Sequence, residues 1–303
     1  MSVDRLIEAI DEKQNPTVLG LDPQPDHIPP GILDTFVEER GKTLSALCGA
    51  YEAYITALIE AASDIVPAVK LQSACYEALG PEGMEVFRRG IQTARAHGLY
   101  VIADAKRGDI GSTSKAYSAA FLGRTEFAGV PLPVFDADAL TVNPYLGSDN
   151  LNPFLQDCEK YGKMVFVLTK TSNPSAAEVQ EQIVEGRPLY EVIADQVSAS
   201  GRPLAGRYGY LNTGIVAGAT QPEAIRQLRA LHPELFFLVP GYGAQGGSAS
   251  GLAAAFDRDG RGAVVNNSRG IGLAWKKTGK SLGDAAREAA LAMRDDLRSI
   301  QYK

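Results

Sequence analysis

The chain has 303 residues, 45% of them hydrophobic and 22% charged, with a formal net charge of −6. That is ordinary globular composition with enough apolar surface for a self-sufficient core, and the acidic balance argues against a general nucleic-acid or membrane-surface role. The three cysteines, Cys48, Cys75 and Cys158, lie far apart without CxxC spacing, so they read as small buried residues in a reducing compartment rather than as disulfides or metal ligands.

The first element is an acidic amphipathic helix, MSVDRLIEAIDEKQNP, with Val3, Leu6, Ile7 and Ile10 on one face. It lacks a basic region, an apolar run and a cleavage site, so it does not read as a signal peptide, and nothing approaches a transmembrane length. A cytoplasmic protein is expected. Eight short apolar runs rich in β-branched residues then follow: TVLGLD (17–22), VPAVKLQ (66–72), YVIADAK (100–106), ALTVNP (139–144), MVFVLTK (164–170), TGIVAG (213–218), LFFLVPG (235–241) and GAVVNN (262–267). Helical patterns separate them, among them EGMEVFRRGIQTARAH (82–97) and PEAIRQLRAL (222–231), and GDAAREAALAMRDDLRSI closes the chain. His97 and His232 stand at apparent helix ends, a capping position. Continuously apolar strands joined by helices imply a parallel sheet covered on both faces. Eight such units favour a closed (β/α)8 barrel, an α/β fold occupying residues 1–303 as one domain. Two connections, 23–65 and 171–212, are too long for a minimal barrel and read as lid or interface elements.

Function in such a barrel gathers at the C-terminal ends of the strands. Polar groups end seven of the eight: Asp22, Lys70, the run Asp104-Ala-Lys106-Arg-Gly-Asp109, Asn143, Lys170-Thr171-Ser172-Asn173, Gly241-Tyr-Gly-Ala-Gln245-Gly-Gly, and Asn266-Asn267-Ser268-Arg269-Gly270. Structural salt bridges explain one or two such ends, not seven. Alternation along a strand points Asp104 and Lys106 the same way, with Asp109 in the following turn. Two carboxylates beside one ammonium keep it protonated and fixed, each contact worth roughly 4 kcal/mol before desolvation. Such a lysine is a poor Schiff-base nucleophile but a good partner and proton donor for a carbanion. Two decoys fail. Gly241, Gly243 and Gly246 fit G-x-G-x-x-G, but the next strand ends in Asn266-Asn267 without the acid a dinucleotide site wants. Thr278-Gly-Lys-Ser281 would need glycine, not Ala274, to be a phosphate-binding P-loop.

The run DAKRGDIGST resembles the DxKxxD signature of orotidine 5′-monophosphate decarboxylases. LGLDP, AVK, KTSN, PGYGAQGG and SRGI follow in that family's order along the whole chain, and the long connections look like its longer-chain branch. The resemblance implies a cofactor-free, metal-free decarboxylation of orotidine 5′-monophosphate to UMP, the last step of de novo pyrimidine nucleotide synthesis. It implies that Asp22 and Lys70 bind ribose hydroxyls and that Asp104, Lys106 and Asp109 form the charged array beside carbon 6. Asp109 and Thr113 would be donated across a homodimer with shared active sites. Ser172 would read the pyrimidine edge, and Gln245 and Arg269 would hold the phosphate with the amides of Gly246 and Gly270. The nearest alternative is a magnesium-dependent sugar-phosphate decarboxylase or aldolase of the same suprafamily. Those enzymes present an acid on the second strand where this chain has Lys70, and a lysine there would repel the metal. Schiff-base aldolase chemistry and a non-catalytic phosphate sensor are weaker readings. A sensor would retain the charged array at an unrewarded cost to stability.

Overall fold

A computed structural model describes residues 1–243 and 246–301. Its centre is a closed parallel barrel of eight strands: β1 (Thr17–Leu21), β2 (Ala68–Gln72), β3 (Tyr100–Arg107), β4 (Ala139–Val142), β5 (Met164–Lys170), β6 (Thr213–Ala217), β7 (Phe237–Val239) and β8 (Ala263–Asn267). Each strand pairs with its sequence neighbours and β8 closes on β1, with Val18 opposite Asn266. All eight expected strands are present, with ends shifted by a residue or two. Alternation sorts their side chains. One set, including Val69, Val101, Leu140, Val165 and Val265, packs outward against the helices. The other, including Val18, Ala68, Ile102, Ala139, Phe166 and Val264, fills the barrel.

The N-terminal helix, Ser2–Lys13, closes the bottom of that interior. Val3, Leu6, Ile7 and Ile10 are buried in the same cluster as the inward strand residues. Its start is pinned by the Val3 amide donating to Asn212 Oδ1 at 2.8 Å, and by Ser2 Oγ lying 2.7 Å from the Tyr100 hydroxyl. His97 and His232 are indeed the residues that end the helices Gly80–Ala96 and Pro222–Leu231.

Both long connections contain structure. The first holds the helices Pro30–Arg40 and Leu44–Ala62. The second holds a short helix, Ala177–Gln180, a small hairpin, Ile183–Val184 with Arg187–Pro188, and the helix Leu189–Gly201. A further hairpin, Thr125–Phe127 with Val130–Leu132, was not expected. It turns on Ala128 and Gly129, both at positive φ (49° and 80°), the pattern of a two-residue turn that matches strand twist. Proline at 131 and the brevity of TEF and VPL hide it from a search for β-branched alternation. No helix among the described residues is long and apolar enough to cross a membrane.

Candidate active site

The mouth of the barrel holds a cavity of about 690 Å³ lined by Asp22, Lys70, Asp104, Lys106, Ser172 and Arg269, among others. Its floor is the upper ring of inward strand residues. The inward positions of the lower ring are repeated two residues later, where Ala68, Ile102 and Ala139 give way to Lys70, Asp104 and Thr141.

These side chains form one chain of alternating charge. Ser268 Oγ donates to Asp22 at 2.6 Å, and Lys70 Nζ bridges Asp22 (3.2 Å) and Asp104 (2.9 Å). Lys106 Nζ then reaches the other oxygen of Asp104 at 2.6 Å. Gly20 makes this possible: a Cβ there would lie 1.8 Å from Ser268 Oγ. Burial works against the Lys70 ammonium, but Asp104 and Asp22 outweigh it and hold its pKa above the usual lysine range. Burial likewise opposes the Asp104 carboxylate, yet Lys70 and Lys106 hold it well below the usual carboxylate range. The result is a fixed ionic lattice with one end, Lys106, open to solvent: its side chain is 45% exposed against 9% for Asp104.

Lys106 does not arrive there by regular alternation. Its φ is +49°, in the left-handed region, and the register of β3 against β4 shifts between Ala103 and Arg107. A non-glycine residue held so costs of order 1–3 kcal/mol and persists where surroundings over-determine it. Here the Lys106 amide donates to Thr141 Oγ1 at 2.9 Å, and the Thr141 hydroxyl donates to Asp104 at 2.9 Å.

Several expected residues stand elsewhere. Asp109 does not line the cavity; its amide donates to Asn150 Oδ1 (3.0 Å) and its carboxylate accepts from the Ile110 amide (2.7 Å). Thr113 is exposed on the helix Gly111–Phe121. Within one chain, therefore, Lys106 has one carboxylate partner and not two, because the kinked backbone turns away after Arg107. Asn143 is outside the cavity as well, and its amide oxygen accepts from the Tyr145 amide at 3.1 Å. Strand β4 serves the site through Thr141. Lys170 is buried away from the cavity, paired with Glu181 at 2.6 Å. Gln245 lies outside the described residues. The amides expected to meet phosphate are engaged locally, Gly246 donating to the Gly243 carbonyl (2.9 Å) and Gly270 to Asn267 Oδ1 (2.8 Å). Arg269, by contrast, is exposed at the cavity rim and no carboxylate pairs with it among the described residues. Three contributors, Gln72, Thr141 and Gln180, are missing from the sequence-derived candidates. Gln72 donates to Asp104 at 3.0 Å, and Gln180 lines the cavity. A polar residue interrupting an apolar run, as in ALTV, was the available signal for Thr141.

After β7 the Tyr242 hydroxyl donates to Asp296 on the last helix, Leu282–Gln301. The barrel is closed, so there is no switch-point crevice for a dinucleotide. Gly279 of the other decoy ends the short helix Ala274–Thr278 at φ +68°.

Comparison with known proteins agrees with this geometry. The model of the orotidine 5′-phosphate decarboxylase / HUMPS family matches residues 18–278. The orotidine 5′-phosphate decarboxylase of Caldicellulosiruptor bescii is 41% identical over 273 residues, covering 90% of each chain. That of Clostridium perfringens strain 13 is 36% identical over 306 residues, covering 100% of each. The structure of Leishmania donovani OMP decarboxylase superposes with a TM-score of 0.75 at 31% identity, over 100% of this chain and 99% of that one. By its motifs, its barrel and these relatives over its whole length, the chain belongs to the orotidine 5′-phosphate decarboxylase family.

Proposed function

We propose that this carboxy-lyase converts orotidine 5′-monophosphate to UMP and carbon dioxide in the cytoplasm, with Lys106 stabilising and then protonating carbon 6. The observation that carries the mechanism is the solvent-facing Lys106 ammonium held 2.6 Å from a buried carboxylate in the same cavity as Arg269. The phosphate binds the Arg269 guanidinium, a local positive charge that opposes the net charge of −6, and the neutral amide of Gln245. To use the Gly246 and Gly270 amides as well, it must displace their present partners. Asp22 and Lys70 meet the ribose hydroxyls, and Ser172 meets the pyrimidine edge.

The bond from carbon 6 to the carboxylate breaks, its electron pair remains on carbon 6, and carbon dioxide leaves. The preorganised ammonium faces that developing negative charge and needs no reorganisation to stabilise it. It then transfers a proton to carbon 6, and the resulting amine recovers one from water. Asp104 holds Lys106 in place. Binding energy from the non-reacting phosphate holds the substrate against this lattice.

We assign Asp109 and Thr113 to the neighbouring subunit's site in a homodimer. The exposure of Thr113 and the absence of both residues from their own cavity's lining support this, as do the exposed Ile110, Tyr145 and Leu146. The test is ultraviolet loss of orotidine 5′-monophosphate absorbance with EDTA present. Turnover that persists supports the reading; turnover that needs added magnesium, or acts only on a sugar phosphate, sinks it.

A further inference from the structure

Within the second long connection the stretch 177–188 is thinly held, unlike the helix Leu189–Gly201 with its buried Tyr190, Ala194 and Val197, which makes the few polar ties of that stretch informative. The helix Ala177–Gln180 has no buried residue, and Val179, Ile183 and Val184 of this segment are exposed. Hydrophobic burial therefore does not fix it over the barrel mouth. One ion pair stands out. Lys170, the last residue of β5, is only 1% exposed, and its ammonium meets Glu181 at 2.6 Å, 5.6 Å from the Tyr190 ring centre. A buried ammonium needs a partner, so Glu181 is drawn back onto the end of the strand.

Glu181 brings Gln180 with it. Gln180 Nε2 donates to Thr171 Oγ1 at 2.8 Å, and its carbonyl oxygen accepts from the Thr171 amide at 2.9 Å, closing the loop 171–180 on itself. Thr171 in turn donates to Asn173 at 2.6 Å. On the opposite side Ser172 packs against Gly218, where a Cβ would lie 2.7 Å from the Ser172 nitrogen, and its carbonyl accepts from Thr220 at 3.3 Å. Thr171, Ser172, Asn173 and Gln180 all line the cavity.

We propose that the Lys170–Glu181 pair is a clasp that sets Ser172 and Gln180 against the pyrimidine end of the site, making Lys170 and Glu181 positioning residues. The inference rests on the reading of Ser172 as a pyrimidine contact. A misplaced contact of this kind lowers productive binding without touching the phosphate end.

The test compares Glu181→Gln, which keeps shape and removes charge, with Glu181→Asp, which keeps the charge. Glu181→Gln should lower kcat/KM and weaken UMP inhibition by about tenfold or more, while inhibition by ribose 5-phosphate stays within about twofold. Glu181→Asp should recover most of the loss. Lys170→Met, measured the same way on folded protein, should follow Glu181→Gln. Unchanged kcat/KM in Glu181→Gln, or UMP and ribose 5-phosphate weakening together, overturns the clasp. Ser172→Ala separates the two ideas. If it weakens UMP binding while Glu181→Gln does not, the clasp alone fails; if it is neutral, the pyrimidine reading beneath it fails too.

Discussion

The two ends of the barrel use the same strands for opposite purposes. At the bottom, inward residues such as Ala68, Ile102 and Val264 meet an apolar helix face and are sealed from water. Two residues further along, Lys70, Asp104 and Asn266 present buried charge and polarity to a cavity. The upper ring is itself divided: β2, β3, β4 and β8 contribute polar groups, whereas β5, β6 and β7 contribute Leu168, Val216 and Leu238. The bottom gains stability from burial. The top gives some of it back by burying charges that only one another can satisfy, and it gains a preorganised field.

The two ends should therefore break differently. Lys106→Ala should lower kcat by at least about a thousandfold, from the loss of both charge stabilisation and proton donation. Its urea midpoint should barely move and UMP should still bind; near-normal turnover would remove the proposed proton donor. Ile7→Ala at the bottom should do the reverse, costing about 2–5 kcal/mol in urea unfolding with kcat unchanged at temperatures where the protein is folded.

A smaller effect sharpens the contrast through pH. Asp104 has a folded pKa below its unfolded value of about 3.9. Its contribution is thus present above that pH and lost as pH falls toward the folded value. Between pH 4 and pH 2 the wild type should lose about 1–2 kcal/mol more than Asp104→Asn, read from urea midpoints, while Ile7→Ala should parallel the wild type. Lys70, with its raised pKa, contributes fully below about pH 10.4 and loses that contribution only as pH rises through its higher folded value.

The smallest signal concerns Asp109. Mixing inactive Asp109→Ala with inactive Lys106→Ala should restore about a quarter of wild-type sites if subunits exchange at random and the site is shared. A mixture that stays dead despite proven exchange would return Asp109 to its own chain.

Much of the molecule is legible in the amino-acid sequence. Apolar runs with β-branched residues marked all eight strands, and the polar residue ending each run identified Asp22, Lys70, Asp104, Lys106, Ser172 and Arg269 as cavity residues. Period-two alternation placed Asp104 and Lys106 on one side, and both do face the cavity, but a left-handed kink rather than a regular strand delivers Lys106 there. The strand-end reading does not carry over to Asn143 and Lys170, which lie outside the cavity, because it says nothing about where a strand stops and the chain turns. The hairpin at Thr125–Leu132 was lost because its strands are three residues each and one contains proline.

The amino-acid sequence by itself determined the repeating strand–helix units, the buried face of the first helix and the cluster of ionisable residues at strand ends, all of which follow from local patterning and the cost of exposing apolar surface. Only the tertiary structure decided which of those ionisable groups touch. Gln72 and Thr141 meet Asp104, Glu181 returns to Lys170, and Asp109 leaves its own cavity. Such pairings join residues across neighbouring strands and loops, where register, a backbone kink and the closure of the barrel set distances that no spacing along the chain encodes.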